Sequence, residues 1–379
     1  MEKIIQAAVE RGASDLHIKS GDVFRARING ALVPLTKQRV TPEQTRQIAL
    51  QLIPNERDRQ RIDDMQDYDC SWGLPGVGRF RVNILRQRGS FMIVMRVIPI
   101  EIPTFEQLGL PPVLSRIAEL ERGLVLVTGV TGSGKSSSQA AMLGFMNQHM
   151  RRHIVTLENP IEFLHRDVNS SITQREIGMD TDSFQVGLRA ALRQDPDVIL
   201  IGEMRDTESI DIALKSAETG HLVISTVHTR DAASTISRLV AVFPTHEQQM
   251  VRIRLAEQLQ AVVSQRLLPR ADGAGRVLAC EVMVVTGTIR DCILDPDRLE
   301  EMRELIAEGR TTYGSQTFDQ HLMELVSEGR VTYEVAKAAA TNPGDFELKM
   351  NMLSGGAGVP AAASGSSSVL GEMTTGYGF

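Results

Sequence analysis

The residues with the most specific chemistry in this chain are Gly129-Val-Thr-Gly-Ser-Gly-Lys-Ser136, which match the pattern G-x-x-x-x-G-K-[ST] in full. They follow an apolar run at residues 124–128 that is typical of a buried strand. Glycines let consecutive backbone N–H groups and a helix N-terminus point at a bound phosphate. The pattern predicts a phosphate-binding loop in which Lys135 reaches the β- and γ-phosphates and the Ser136 hydroxyl binds Mg²⁺. The residues predicted to contact a bound nucleotide are Gly129, Thr131, Gly132, Ser133, Gly134, Lys135, Ser136 and Ser137.

Polar residues also end the three other apolar runs of this region, at residues 154–157, 198–201 and 222–227. The first of these runs leads into Glu158-Asn-Pro-Ile-Glu162, the second precedes Glu203, and the third precedes His228. Ligands of open α/β sheets bind outside the carboxyl ends of the strands, where such endings meet. This convergence favours nucleotide hydrolysis.

Each acidic residue has a candidate role and a plainer alternative. Glu203 fits a Walker B acid that binds Mg²⁺ directly or through a water, or else it caps a helix or lies in a solvated loop. Glu158 and Glu162 are candidates to polarise the attacking water, with Glu162 favoured, and each is otherwise a surface carboxylate. His228 is either a γ-phosphate sensor or a packing residue.

Phosphoryl transfer also needs positive charge near the transferred group. Arginines crowd the end of the first hundred residues, and we single out Arg81 and Arg96 as candidates to reach a nucleotide held by a neighbouring subunit. A solvated sheet face is the alternative for each of them. Arg193 and Arg205 lie close to the predicted strand ends and are further candidates.

Bulk composition narrows the class of protein. The 379 residues carry a net charge of −6 and 42% hydrophobic residues, which fits about two or three globular domains and disfavours a broad nucleic-acid surface. The cysteines form no CxxC pair, so neither a zinc site nor a disulfide framework is predicted. Because no run of about 18 apolar residues occurs, we expect a cytoplasmic protein that contacts a membrane only through partners.

The pattern of elements divides the chain into five parts. Residues 1–98 alternate as a small α+β domain, and proline-rich residues 99–112 predict a linker. Residues 113–270 alternate strands with helices and predict a parallel-core sheet. We expect residues 271–350 to be mostly helical and the Gly/Ser-rich tail at 351–379 to be flexible, and we expect one long helix at residues 247–267.

Six motifs, in order, resemble those of the type IV pilus retraction ATPases, the PilT- and PilU-like members of the secretion ATPase superfamily. Residues 12–18 and 78–83 look like the two N-terminal signatures, and the phosphate-binding loop matches the Walker A motif. Residues 156–162 resemble the Asp box, residues 201–206 the Walker B motif, and residues 217–229 the His box. The likeness covers roughly residues 1–350.

This resemblance implies an α/β protein with a RecA-like P-loop ATPase domain after a PAS-like N-terminal domain. It implies a homo-hexamer that binds ATP between the two domains, with arginines donated within or across subunits. It also implies a motor at the cytoplasmic face of the inner membrane that acts on a pilus platform protein and powers twitching motility. A paralogous retraction ATPase is a further expected partner, and stable nucleic-acid binding is not expected.

Several departures from the family pattern leave other functions open. Asn159 stands where the Asp box usually has aspartate, and residues 288–293 only loosely resemble the motif linked to retraction. A PilU-like accessory that depends on a partner ring is therefore one alternative. An assembly or type II secretion ATPase is another, although the four-cysteine zinc element is missing. A DNA translocase is disfavoured by the acidic balance.

Overall fold

The structure is a computed structural model that describes residues 1–99 and 101–353. Its first part is an α+β unit, which we call the N-terminal domain. The helices of this domain are α1 (Glu2–Glu10), α2 (Pro42–Leu52) and α3 (Glu56–Gln60), with a 3-10 turn at Ile62–Asp64. The strands are β1 (Ala13–Lys19), β2 (Arg25–Ile28), β3 (Ala31–Pro34), β4 (Asp67–Leu74), β5 (Gly78–Gln87) and β6 (Ser90–Val97).

These strands form one antiparallel sheet in the order β3-β2-β1-β6-β5-β4. Asn29 and Gly30 both have positive φ, at 50° and 80°, which is the backbone that a type I′ turn between β2 and β3 requires. Along β5, Phe80 and Val82 are buried beneath α1 and α2, whereas Arg81 between them is exposed. This alternation of buried and exposed residues is that of a strand with one face on the core. Strand β4 had no expected counterpart in the sequence.

The second part holds the phosphate-binding loop, and we call it the ATPase domain. Its strands are β7 (Gly123–Thr128), β8 (His153–Glu158), β9 (Ser171–Glu176), β10 (Val198–Ile201), β11 (Leu222–Val227), β12 (Leu259–Pro269) and β13 (Arg276–Val284). The helices up to the last strand are α4 (Phe105–Leu108), α5 (Val113–Ala118), α6 (Lys135–His149), α7 (Phe184–Ala191), α8 (Thr207–Glu218), α9 (Ala232–Ala241) and α10 (Gln248–Gln258).

One sheet organises this domain, in the order β13-β12-β7-β11-β10-β8-β9. Every neighbouring pair is parallel except β12 and β13, which form an antiparallel hairpin. All residues of β7, β10 and β11 are buried, because helices cover both faces of the sheet. The carboxyl ends of β7, β8, β10 and β11 consequently lie side by side. The α/β fold expected from the sequence is confirmed.

The single helix expected at residues 247–267 is wrong. Helix α10 ends at Gln258, and the chain continues as β12, which pairs with β7 on one side and β13 on the other. A central strand is buried on both faces, so its sequence is a nearly continuous apolar run that periodicity does not distinguish from a buried helix.

The predicted boundary at residue 270 falls in the turn between β12 and β13. Because β13 pairs with β12, it belongs to the sheet of the ATPase domain. Strand β9 was also not expected.

The remaining helices follow β13 in the chain. They are α11 (Gly287–Leu294), α12 (Met302–Glu308), α13 (Arg310–Tyr313), α14 (Phe318–Ser327), α15 (Tyr333–Ala339) and α16 (Pro343–Leu353), with a 3-10 turn at Pro296–Glu301. Helices α11 and α12 contribute residues to the core of the ATPase domain. Residues 351–353 end α16, and the rest of the tail expected at 351–379 lies outside the described residues. The expected linker contains α4, and Leu110 packs into the ATPase core. None of the described helices combines the length and apolar composition that crossing a membrane requires.

Candidate active site

The phosphate-binding loop lies between the buried strand β7 and helix α6, which begins at Lys135. Gly129 has a φ of 142°, and a Cβ atom there would lie 2.4 Å from Ser133 Oγ and 2.6 Å from the Gln265 carbonyl oxygen. No side chain fits in that space. Gly134 ends the loop with a φ of 92°, a conformation that glycine adopts without the usual Cβ clash. The glycines of the motif are thus required by the path of the backbone.

Lys135 lies inside the loop and is 8% exposed. Its Nζ donates hydrogen bonds to the carbonyl oxygens of Gly129 at 2.9 Å and Val130 at 3.1 Å. Burial lowers the pKa of Lys135, and the negative charges of Glu162 and Glu203 oppose that shift. The ammonium group therefore faces the carboxylates across a shared space.

A cavity of about 390 Å³ separates the loop from the ends of β8, β10 and β11. Ten of the predicted site residues line it, namely Thr131, Gly132, Gly134, Lys135, Ser136, Ser137, Glu158, Glu162, Glu203 and His228. Gly129 and Ser133 belong to the loop but do not line the cavity, and Ser133 occupies the space that a side chain at Gly129 would need. The structure thus brings together residues that are up to about 100 positions apart in the sequence.

The two candidate water-activating glutamates have different surroundings. Glu158 is half-buried, and its Oε1 accepts hydrogen bonds from Thr156 Oγ1 at 2.6 Å and from Gln174 Nε2 at 3.1 Å. Burial raises the pKa of Glu158 despite these two donors. Glu162 is exposed and lines the cavity. It follows a cis peptide bond between Asn159 and Pro160.

Glu203 lies beyond β10 between two basic side chains. Its Oε1 is 2.6 Å from Arg205 Nη2, and its Oε2 is 3.5 Å from His228 Nε2. Arg205, His228 and Glu203 all line the cavity. The histidine therefore contacts a site carboxylate, and this contact links the end of β11 to the end of β10.

The oxygen atoms around the cavity are suitable ligands for a magnesium ion that is also bound by the phosphates of a nucleotide. The Ser136 hydroxyl and the Glu203 carboxylate supply oxygen atoms, which are the ligands that Mg²⁺ prefers. Within residues 1–99 and 101–353, no group of three or more His, Cys, Asp or Glu side chains is placed to hold a metal ion by itself. The residues present fit Mg²⁺ bound mainly through nucleotide and water oxygens.

Arg81 and Arg96 do not line this cavity within one chain. They face each other across β5 and β6, and Arg96 Nε lies 2.9 Å from Asp15 Oδ1. Both side chains are exposed on the N-terminal domain. Any contact between them and a nucleotide would have to come from another arrangement of subunits.

Several cavity residues carry no motif that sequence reasoning could have used. Burial lowers the pKa of His165 to about 4, and its Nδ1 has no hydrogen-bond partner among the described residues. Gln174, which holds Glu158, belongs to the unexpected strand β9. The other lining residues outside the predicted motifs are Gln139, Ala140, Leu143, Phe163, Phe184 and Leu200.

Comparison with known proteins identifies the family to which this chain is similar. The type II/IV secretion system protein family matches residues 1–349. The type IV pilus ATPase PilU of Pseudomonas aeruginosa is 41% identical over 355 residues, covering 93% of this chain and 91% of that protein. The type IV pilus retraction ATPase PilT of the same organism is 42% identical over 344 residues, covering 91% and 99%.

Solved structures agree with these sequence relatives. The pilus retraction motor PilT with bound ADP matches with a TM-score of 0.82 and 43% identity, over 91% of this chain and 98% of that chain. The ATPase DotB of Legionella pneumophila matches with a TM-score of 0.79 and 28% identity, over 89% and 94%. The chain therefore belongs to the type II/IV secretion system protein family, within which it is a PilT- and PilU-like ATPase.

Proposed function

We propose that this ATPase powers the retraction of type IV pili by hydrolysing ATP in the cavity between the phosphate-binding loop and the carboxylates. The observation that carries the proposal is the meeting of Lys135, Glu162 and Glu203 around one cavity, in a chain similar to PilT over nearly its whole length. All three residues line that cavity, and the negative charges of Glu162 and Glu203 oppose the lowering of the Lys135 pKa by burial.

The loop and the start of α6 bind the phosphates of the nucleotide. The backbone N–H groups of the loop cradle the β- and γ-phosphates, and the Lys135 ammonium neutralises charge on their oxygens. The Ser136 hydroxyl and Glu203, directly or through a water, hold Mg²⁺, which when bound draws charge from the phosphates. These groups act by position and charge, since phosphoryl transfer needs little covalent chemistry from the protein.

Glu162 activates the water that attacks the γ-phosphate. Glu162 is exposed and lines the cavity, whereas Glu158 is half-buried and its Oε1 already accepts two hydrogen bonds from protein donors. A carboxylate with a free oxygen at the cavity can orient a water and take its proton. His228 then senses the γ-phosphate, because its ring contacts Glu203 at the same cavity.

The mechanical output needs an assembly larger than one chain. We infer a homo-hexamer in which Arg81 and Arg96, exposed on the N-terminal domain, reach a nucleotide bound by a neighbouring subunit. Turnover would move the two domains relative to each other. The ring would lie at the cytoplasmic face of the inner membrane and act on the pilus platform protein.

An accessory role is the second candidate, because the chain is about equally similar to PilU and to PilT. The identity to PilU, 41% over 355 residues, nearly equals the 42% identity to PilT. In this role the ring binds ATP but relies on a paralogous retraction ATPase for most of the force.

A cellular experiment separates these two functions. Pilus retraction is recorded in a strain that lacks this gene, and then after complementation with the wild-type chain. If this ATPase is the primary motor, retraction should stop in the deletion strain and return on complementation. Normal retraction in the deletion strain would contradict the motor assignment, and retraction that is weakened only under load would favour the accessory role.

A further inference from the structure

One carboxylate oxygen joins the N-terminal domain to the segment that carries Glu162. Glu176 ends β9 and is 2% exposed. Its Oε2 accepts hydrogen bonds from Ser71 Oγ at 2.7 Å, Arg79 Nη2 at 3.1 Å and the Ile161 backbone N–H at 3.2 Å. The first two donors belong to β4 and β5 of the N-terminal domain, and the third belongs to the ATPase domain.

The third donor fixes the backbone directly beside Glu162. Ile161 is buried, so water cannot replace Glu176 as the hydrogen-bond acceptor of its amide when Glu176 moves. The other end of the same segment is tied to β9 as well, because Ile177 N–H donates to the Glu158 carbonyl oxygen at 2.9 Å. A shift of the Glu176 carboxylate is therefore transmitted to the peptide that aims Glu162 at the cavity.

The position of the N-terminal domain decides how many donors Glu176 has. A buried carboxylate needs hydrogen-bonding partners to offset the loss of water. If the N-terminal domain swings away, Ser71 and Arg79 leave together, and only the Ile161 amide remains of the three. Arg79 Nε is itself buried without a partner among the described residues, so this junction is not fully satisfied. Such a contact suits a junction that forms in one domain arrangement and opens in another.

We infer that Glu176 is a positioning residue for ATP hydrolysis, through which the placement of the N-terminal domain on its own ATPase domain sets the aim of Glu162. This inference rests on the proposed function, since it takes Glu162 as the residue that activates water. It goes beyond that function because it names the contact that makes turnover depend on domain placement within one chain.

A buried ion pair elsewhere in the chain provides a matched control. Asp319 on α14 is 3% exposed, contacts Arg303 on α12, and accepts a hydrogen bond from the Thr341 backbone N–H at 2.8 Å. It therefore resembles Glu176 in burial, in having an arginine partner and in holding a backbone amide. Neither Asp319 nor Arg303 lines the cavity.

The test measures kcat and KM for ATP, nucleotide affinity and thermal unfolding in the full-length wild type, Glu176→Gln, Arg79→Met, the double variant and Asp319→Asn. We expect Glu176→Gln and Arg79→Met each to lower kcat about tenfold with KM within about twofold, because a small misplacement of a reacting group costs rate and not binding. The double variant should be no slower than Glu176→Gln, because both changes break one contact. Asp319→Asn should lose thermal stability but keep its kcat.

Three results would overturn the inference. They are an unchanged kcat in Arg79→Met, multiplicative losses of kcat in the double variant, and an equal loss of kcat in Asp319→Asn. Arg79→Met alone carries the test if Glu176→Gln does not fold, because Glu176 then keeps its hydrogen bonds from Ser71 and the Ile161 N–H. Failure of the proposed function looks different, since Glu162→Gln would then hydrolyse ATP as fast as wild type.

Discussion

The two walls of the cavity are built in different ways. The phosphate wall, residues 129–137, is one continuous segment whose lysine is bonded to carbonyl groups of its own loop. The carboxylate wall, which we define as Glu158, Glu162 and Glu203, comes from the ends of two strands and is supported by β9. The phosphate wall therefore depends on local sequence, and the carboxylate wall depends on packing between distant segments.

This difference predicts a division of labour between nucleotide binding and turnover. Local hydrogen bonds keep the phosphate wall in shape as long as β7 and α6 are folded. The carboxylate wall depends on β9, because Glu176 at the end of that strand accepts a hydrogen bond from the Ile161 N–H. It depends on the N-terminal domain indirectly, because Ser71 and Arg79 of that domain donate to the same Glu176 oxygen. Substitutions on the two walls should consequently have separable effects.

The largest effect is expected for Lys135→Ala on the phosphate wall. Loss of the ammonium group removes charge compensation at the phosphates, so Mg²⁺-dependent ATP hydrolysis should fall about 1000-fold and ATP binding should weaken with it. Steady-state phosphate release and calorimetry measure the two quantities. Lys215→Ala, on the exposed face of α8, is the control and should match wild type. Equal hydrolysis by Lys135→Ala and wild type would defeat the assignment of the site.

A more selective loss is expected for Glu162→Gln on the carboxylate wall. The amide cannot take a proton from water, so turnover should drop about 100-fold while the ATP dissociation constant stays within about twofold. The same assays apply, with Glu257→Gln on the exposed side of α10 as a control. Unimpaired hydrolysis in Glu162→Gln would move the catalytic role to Glu158 or Glu203.

The shape of the phosphate wall is tested by Gly129→Ala. The added Cβ meets Ser133 Oγ at 2.4 Å and the Gln265 carbonyl at 2.6 Å, in a backbone conformation that disfavours side chains. Overpacking of this kind should lower the free energy of unfolding by about 2 kcal/mol, measured by denaturant titration. Gly220→Ala is the matched control, since that glycine also has a positive φ but open space around it. Similar losses in both variants would mean that backbone strain, and not crowding, governs the loop.

The pH dependence of stability tests the burial of Glu158. Its pKa in the folded chain is raised above 4.5, so between that pH and the folded pKa the folded state binds more protons than the unfolded state. Stability conferred by the neutral carboxyl is therefore present below pH 4.5 and is lost as the pH rises. Relative to wild type, Glu158→Gln should become more stable as the pH rises above 4.5 in denaturant titrations. If the difference in unfolding free energy between Glu158→Gln and wild type did not change with pH, as expected for Glu257→Gln, burial of Glu158 would contribute little to stability.

The smallest effect is expected for Asn159→Asp. Asn159 is exposed at the rim of the cavity, and restoring the usual family aspartate leaves Glu162 in place. Turnover should stay within about twofold of wild type, since a solvated charge at the rim is largely screened. A large gain in rate would show that this position, and not Glu162, limits hydrolysis.

The sequence alone determined the phosphate wall and the strands that lead to it. The loop motif is contiguous, and the apolar runs that became β8, β10 and β11 lead into Glu158, Glu203 and His228, which the structure places at the cavity. Helix caps were equally local, as at Asp206, whose side chain accepts a hydrogen bond from the Ser209 N–H at the start of α8. These features depend on neighbours within a few residues, so their patterns can be recognised in one dimension.

Only the tertiary structure decided the rest. Residues 259–267 form a central strand and not the end of a helix, because β7 and β13 bury both of its edges. The same holds for the unexpected β9, whose Glu176 and Gln174 support the two glutamates of the Asp box segment. Their roles come from contacts between residues about 15 to 105 positions apart, which leave no periodic trace in the sequence. A local motif can specify how a phosphate is bound, whereas the aim of a carboxylate is set by whichever distant segments pack against it.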